Sequence, residues 1–599
     1  MHILLVASAF NSLTQRVHAE LRDRGHSVAV ELALPPAPGG EPSAPQDEAL
    51  RAAVARHRPD LILAPMLKTA IPRDVWSAHT CLIVHPGPPG DRGPSSLDWA
   101  VHEGMTRWGV TVLQADERMD AGAVWASADC AVPPVGKSDL YRGEVSDAAL
   151  AAVLLAVDRF ASGTYVPLPQ REPRPGEAQD GPCRTRPYFR QELRRIDWQR
   201  DTTDTVVRRL RAADSQPGVL DELLGAQWFL HGGHPERALR GRPGELLATR
   251  SGAICRATAD GAVWIPELRA RRLPGEPVPV KLPAVTALGE RLPELPELPA
   301  RGRGWSDISY REEGQAGFLS FTFPGGAMST GQCRRLLAAY RAACARPTSV
   351  LVLGGGRDFF SNGIHLGVIE AAADPAAESW ANITAIDDLV EAVLCTTDRL
   401  IVAALGGNAA AGGAMLALAA DEIWCRSGVV LNPHYRLMGL YGSEYWTYTL
   451  PRRVGPAVAE RLTTEALPVS AEAARRLGLV DRTTACAPQD FAGETGRLAA
   501  RLAASPAVSA RIAAKKAARD RDEALRPLAA HRAAELARMR RTFFDPEAPY
   551  HALRRDFVRK APASGTPPHL ARATPERRRV TGSAAADGAP GPVGCYQEG

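Results

Sequence analysis

The sequence predicts an α/β protein of several domains, and three observations carry that prediction. Short apolar runs alternate with helically spaced ones over residues 1 to about 165, and the same alternation restarts at Trp305. Such alternation marks sheets with crossover helices. Between the two blocks, residues 183 to about 275 hold short strands and turns without that rhythm. A chain of 599 residues has room for roughly three to five domains.

The first block is read in order. HILLVAS, SVAVEL, LILAPM, TCLIVH and VTVLQA form the strands of one doubly wound parallel sheet. Leu13, Val17 and Leu21, then Leu50 and Val54, have helical spacing between them. Ligands of such sheets lie beyond the carboxyl ends of the strands. Two loops stand there, one carrying Asn11, Ser12 and Gln15, the other HPGPPGDRGPSSLDWA over residues 85–100. The second sets His85, Asp91 and Arg92 at a strand end, ahead of a helix expected to be capped near Ser95 or Ser96. A histidine leaving an apolar strand is often bonded only to backbone. Asp120, in DERMDAGAVW after the next strand, favours an acid–base pair instead.

His85-Pro86, the Arg92-Gly93 turn and Asp120-Ala121-Gly122 resemble the N10-formyltetrahydrofolate-dependent formyltransferases, which use an Asn-x-His motif and a downstream Asp. The resemblance implies that His85 and Asp120 are catalytic and that Ser12, Gln15, Asp91 and Arg92 surround the folate. The family's asparagine position is Ile83 here, so one amide that would steady a tetrahedral oxyanion is missing. Asn11, Ser12 and Gln15 are the candidates to replace it. A proline-rich joint at residues 166–182 closes this domain, taken as residues 1–180. RIDWQRDTTDTVVRRLRAADSQPGVL then looks like the opening of the small barrel-like C-terminal domain of the same enzymes, residues 181–280. Residues 281–304 are expected to be a linker, since the Leu-Pro units within 274–299 resist helix and sheet.

From residue 305 to 490, FLSFTF reads as a strand, residues 333–345 as a helix and SVLVLGGG as a strand; RDFFSNGIHL and LIVAALGGNAAAGGAMLALAADEIWC follow. Together they resemble the crotonase (enoyl-CoA hydratase/isomerase) superfamily. The resemblance implies that the backbone N–H groups of Ile364 and Gly412 grip a thioester carbonyl, with Ser361 and Asn362 beside coenzyme A. Gly412 would open an apolar helix, whose first amides favour a developing oxyanion. Hydratases carry two catalytic glutamates where this chain has Met415 and Tyr435. Methionine cannot move a proton, and a phenol near pKa 10 is a poor base, so water addition to an enoyl thioester is not expected.

Residues 431–450, LNPHYRLMGLYGSEYWTYTL, gather Tyr435, Tyr441, Glu444, Tyr445 and Trp446. Buried phenols and carboxylates need partners or a substrate. A plainer reading packs these aromatics in a subunit contact. In a cleft, Tyr435 and Glu444 are the proton-handling candidates. Residues 491–562 are helical and basic, a solvated extension or an oligomer clasp, with Lys515, Arg540, Arg554 and Arg555 as the cations able to meet coenzyme A phosphates. Of these, Arg554 is taken as the cofactor-binding candidate. Residues 563–599 lack periodicity and are expected to be disordered.

A formyltransferase joined to a crotonase without its glutamates, with NPHYRLMGLYGSEYW, LPRRVG and a terminal ALRRDFVRK, resembles the hydrogenase maturation factors that supply carbon monoxide for the nickel-iron active site. The resemblance implies formyl transfer from N10-formyltetrahydrofolate to coenzyme A, then splitting of formyl-CoA into carbon monoxide and coenzyme A. Hydrogenase maturation proteins are the macromolecular partners it implies. Two other readings stand beside it. One is a formyltransferase acting on an amine, fused to an acyl-CoA hydratase or hydrolase, against which Ile83 and Met415 argue. The other is a folate- or CoA-binding scaffold. A net charge of +5 over this length demands no nucleic acid. The ten dispersed cysteines form no Cys-x-x-Cys pair and no zinc spacing, which suits reduced thiols in the cytoplasm and no metal. No apolar run approaches the roughly 18 residues of a membrane helix, and MHILLVASAF reads as a first buried strand.

Overall fold

The computed structural model describes residues 1–33, 44–170, 184–299, 304–561 and 565–572. Its first sheet is built from β1 (His2–Ala7), β2 (Ser27–Leu32), β3 (Leu61–Met66), β4 (Cys81–His85), β5 (Arg107–Gln114) and β6 (Val124–Ala131), in the order β2-β1-β3-β4-β5-β6. β1 to β4 are parallel, but β5 runs antiparallel to β4, and β6 to β5. The expected all-parallel sheet is therefore mixed. The only helix between β4 and β5 is Ser96–His102. It spans about 10 Å, too little to carry the chain back along β4, so the next strand returns in the opposite sense. An apolar run in sequence shows a strand without showing its direction. Helix α1 (Ser12–Asp23) packs Leu13, Val17 and Leu21 on the sheet and is capped by Asn11, whose Oδ1 accepts from Thr14 N at 3.0 Å.

The next region folds as two four-stranded antiparallel sheets around Trp198, Leu210, Leu230, Ile254 and Val263. The chain passes from one sheet to the other at Pro266, between strands Ala262–Ile265 and Glu267–Ala270. The expected linker at 281–304 is partly built into this domain. Lys281–Pro283 pairs with Glu267–Ala270, and Ala284–Leu288 is helical with Ala284 and Leu288 in the core. The stretch AVTAL lies between the prolines, which is why it folds where the repeat around it does not.

A second large sheet follows. Its order is Ile308–Glu313, Ala316–Phe321, Val350–Gly354, Leu400–Leu405, Glu422–Arg426 and Arg482–Thr484, parallel except for the first strand. A smaller sheet of Phe359–Ser361, Asn408–Ala410, Val430–Asn432 and Val469–Ser470 sits beside it and presents the loops that matter below. Helix Thr330–Cys344 starts on a capping box of Ser329 and Gln332. Helices Phe491–Ala503, Val508–Leu525, Leu528–Phe544 and Pro549–Val558 then wrap this domain. Leu528–Phe544 buries Met539 and Phe543 and lies against Pro375–Cys395, where Arg532 pairs with Asp388 and, at 2.7 Å, with Glu391.

Part of the segment expected to be disordered is ordered. Leu32 N, at the end of edge strand β2, donates to Thr566 Oγ1 at 2.8 Å. The short helix Pro568–Ala571 follows, with Leu570 buried in the first domain's core. Residues 573–599, with Cys595, lie outside the described residues, as do Cys183 and most of the joint at 166–182. The first domain also meets the second large sheet through Asp147, held by Arg16 at 2.6 Å and Arg426 at 2.8 Å, and through Arg357, whose Nη2 donates to Glu144 at 2.5 Å.

Two candidate active sites

His85 closes β4 with its ring between two carboxylates. Nε2 lies 2.9 Å from Asp91 Oδ2, and Nδ1 lies 3.5 Å from Asp120 Oδ1. Asp91 is fully buried; its Oδ1 accepts from Arg186 Nε at 2.9 Å, and Oδ2, the oxygen that meets His85, also accepts from Ser96 Oγ at 2.8 Å. It was expected beside the folate; the structure instead makes it the group that orients His85. Gly87 is required here, because a Cβ would stand 2.3 Å from Asp91 Oδ2 and 2.5 Å from His85 Nε2. Asp120 adopts φ +55, a left-handed conformation uncommon outside glycine, with Oδ2 accepting from Gly93 N at 3.0 Å. Its side chain is 13% exposed, so Asp120 lies on the open side of His85. Gln170, which no motif flagged, clamps the loops by donating to Asp120 O and Gly122 O and accepting from Gly90 N.

Around this pair the remaining residues take other parts. The expected cap at Ser95 is not formed; Ser95 is left-handed at φ +66 and makes no cap bond, while Ser96 reaches Asp91. Arg92 is tied by its backbone to residues 184–186. Asn11 Nδ2 donates to Tyr141 OH at 3.0 Å, and Ser12 begins α1. Gln15 leaves its own domain: its Oε1 accepts from Asn432 Nδ2 at 3.2 Å. Asn432 O in turn accepts from Ala411 N at 2.9 Å, one residue before Gly412. A chain of hydrogen bonds thus runs from the first site's loop to the second site.

In the second site, helix Gly412–Leu418 follows Ala411, which holds φ +45. The 361–364 loop faces it closely; a Cβ on Gly363 would stand 3.1 Å from Gly412 N. The Glu444 carboxyl lies against the same backbone, since a Cβ on Gly412 would fall 2.0 Å from Glu444 Oε1. Tyr435 OH donates to Glu444 Oε2 at 2.7 Å, and Ser443 N to the same oxygen at 3.1 Å. Both side chains are buried. Burial and the neighbouring Asp387 charge push the Glu444 carboxyl well above the ordinary carboxylate range; burial and Glu444 raise the Tyr435 phenol. Met415, at the position of one hydratase glutamate, is fully buried and apolar. The arrangement offers backbone N–H groups beside one shared acid–phenol proton.

Several expected coenzyme A contacts are engaged within the protein. Ser361 Oγ accepts from Gly363 N at 3.0 Å and faces Met328 Sδ, and Asn362 Nδ2 donates to Gly325 O at 2.8 Å, so both shape the loop. Arg554 corrects the expectation most clearly: it is 5% exposed, with Nε on Glu370 Oε2 at 3.0 Å, so its charge is already paired. Lys515 is likewise bound to Asp421 at 2.6 Å. The sequence reading missed Arg186, Asn432, Asp387 and Glu535. Each acts on residues far away in the chain, and no local spacing marks it. Among the described residues no cluster of three His, Cys, Asp or Glu could hold a metal, and no helix is long and apolar enough to cross a membrane.

Three family models match: formyl transferase over residues 2–157, formyl transferase C-terminal domain over 189–276, and enoyl-CoA hydratase/isomerase over 327–549. The hydrogenase maturation factor HoxX of Bradyrhizobium diazoefficiens is 48% identical over 570 residues, covering 95% of this chain and 96% of its own. The chain belongs to the HypX/HoxX family of hydrogenase maturation factors. A crystal structure of HypX from Aquifex aeolicus in complex with tetrahydrofolic acid agrees, with a TM-score of 0.88 at 42% identity over 97% of this chain and 99% of that one. Methionyl-tRNA formyltransferase of Aromatoleum aromaticum, 27% identical, covers 41% of this chain and 72% of its own length. The family's fold is therefore this one: a formyltransferase unit and a crotonase-like unit in one chain.

Proposed function

We propose that this HypX/HoxX-family protein makes carbon monoxide in two steps, for hydrogenase maturation. The first site transfers the formyl group of N10-formyltetrahydrofolate to the thiol of coenzyme A. His85 and Asp120 take the thiol proton as sulfur attacks the formyl carbon and return it to N10 as the C–N bond breaks. That the Aquifex aeolicus HypX structure holds tetrahydrofolic acid supports folate chemistry at the corresponding site.

The second site splits the formyl thioester. The N–H groups of Ile364 and Gly412 polarise its carbonyl. The Glu444–Tyr435 pair removes the formyl hydrogen as a proton, the C–S bond breaks with its electrons to sulfur, and the thiolate regains that proton. Products are carbon monoxide and coenzyme A. The observation that carries this reading is the Glu444 carboxyl, bonded to Tyr435 at 2.7 Å and set against the Gly412 backbone, with Met415 where a second acid would serve hydration. A base raised above the usual carboxylate range suits removal of a weakly acidic hydrogen.

The test supplies the full chain with N10-formyltetrahydrofolate and coenzyme A and reads carbon monoxide by the spectrum of a haem protein. His85→Ala is expected to lose carbon monoxide from the folate donor, while still splitting added formyl-CoA. Glu444→Gln is expected to release tetrahydrofolate but lose carbon monoxide. No carbon monoxide from the unaltered protein above the His85→Ala level, or hydration of crotonyl-CoA, overturns the reading.

A further inference from the structure

Glu444 and Tyr445 are consecutive non-glycine residues at φ +59 and φ +58. Such a pair is strained and persists only where its surroundings over-determine it. Two buried carboxylates, on two helices packed against each other, do so. Asp387, on helix Pro375–Cys395, accepts from Glu444 N at 2.8 Å and from Ser443 Oγ at 2.6 Å. Glu535, on helix Leu528–Phe544, accepts from Tyr445 N and Thr447 N, each at 2.9 Å. Tyr445 is the N-cap of helix Trp446–Val454 and makes no side-chain cap bond, so Glu535 caps that helix from a neighbour. Both acids are fully buried, and Arg532 joins their helices through Asp388 and Glu391.

We infer that Asp387 and Glu535 are positioning residues of the second site, which fix the left-handed Glu444–Tyr445 turn so that the Glu444 carboxyl rests on the Gly412 backbone. This rests on the reading of Glu444 and Tyr435 given above. The wrapping helix Leu528–Phe544 thereby becomes part of the site, although no residue of it touches the substrate in this scheme. This arrangement accepts the amides of Glu444, Tyr445 and Thr447 together. It also places a second acid beside Glu444, which holds that carboxyl's proton more tightly. The other groups facing the turn are Tyr435, Cys333, Arg532, Asp388 and Glu391.

The test compares Asp387→Asn, Glu535→Gln and Glu444→Gln in the full chain, with tetrahydrofolate release as a check that each variant is folded. Carbon monoxide from added formyl-CoA is followed against pH. In the unaltered protein its rate rises with pH, as Glu444 loses its proton, through a midpoint above the ordinary carboxylate range. Asp387→Asn removes a neighbouring negative charge, so that midpoint should move to lower pH. Glu535→Gln leaves one of two amides without an acceptor and should lower kcat roughly 10- to 100-fold, with KM for formyl-CoA changed less than about threefold. Unchanged kcat and an unmoved pH profile in both variants overturn the inference, provided Glu444→Gln is inactive. An active Glu444→Gln overturns the underlying reading instead. A variant that no longer releases tetrahydrofolate is replaced by Ser443→Ala, which removes the hydroxyl that meets both Asp387 oxygens and should lower kcat in the same sense but less; an unchanged kcat there also overturns the inference.

Discussion

At the scale of single residues, Gly412 is a glycine because Glu444 occupies the place of its side chain. Gly412→Ala would set a methyl group 2.0 Å from Glu444 Oε1, and the carboxyl would have to leave the backbone it rests on. Carbon monoxide release from formyl-CoA should fall roughly 10²-fold, while tetrahydrofolate release stays as it was; the two product assays on one preparation check this. The proximity of His85 and Asp120 was legible because strand, loop and acid follow one another in sequence. That Asp91 bonds to His85 was not legible, because the loop turns back beneath His85, which only the tertiary fold decides. Asp387 and Glu535 could not be read at all: they stand 57 and 90 residues from the amides they accept. Arg554 shows the opposite error, a basic residue assigned to phosphate whose counter-ion, Glu370, lies 184 residues away.

At the scale of elements, the apolar rhythm placed the strands of both large sheets but not the direction of β5 and β6, which the short helix Ser96–His102 decides. Composition misjudged 284–288 and 565–572 for the same reason. Each is a short apolar run among prolines, too brief to show a period, and each is ordered by what it packs on. The second makes a prediction. Leu570 is 3% exposed in the first domain's core, so Leu570→Ala should cost about 2–3 kcal/mol and loosen the segment from β2. Hydrogen exchange at Leu32 N, whose bond to Thr566 would open with it, checks this.

At the scale of the whole molecule, the domains that carry the two sites are joined by polar contacts, with Leu467 also packed against the first domain's apolar core. Arg426 is only 3% exposed and shares Asp147 with Arg16. Asp147→Asn would leave a buried guanidinium without its counter-ion. Because Asp147 is itself 30% exposed, the loss should be about 2 kcal/mol, below the 3–5 of a fully enclosed pair. Scanning calorimetry should show the first transition lowered by roughly 4–8 °C. Sequence told that a formyltransferase and a crotonase-like unit share this chain. It could not tell how they dock, because the docking groups are polar residues scattered over helices, strand ends and turns, with no shared spacing to mark them.

The covering of β2 by Thr566 has a consequence for how the chain is made. Strand and cover are 534 residues apart, and ribosomes add roughly 5–20 residues per second. The rim of the first sheet therefore emerges roughly half a minute to two minutes before the segment that finishes it. Throughout that interval Leu32 N, at the end of an edge strand of the kind on which stray strands pair, lacks the acceptor that Thr566 later gives it, so the maturation of that rim depends on the timing of synthesis as well as on the final fold.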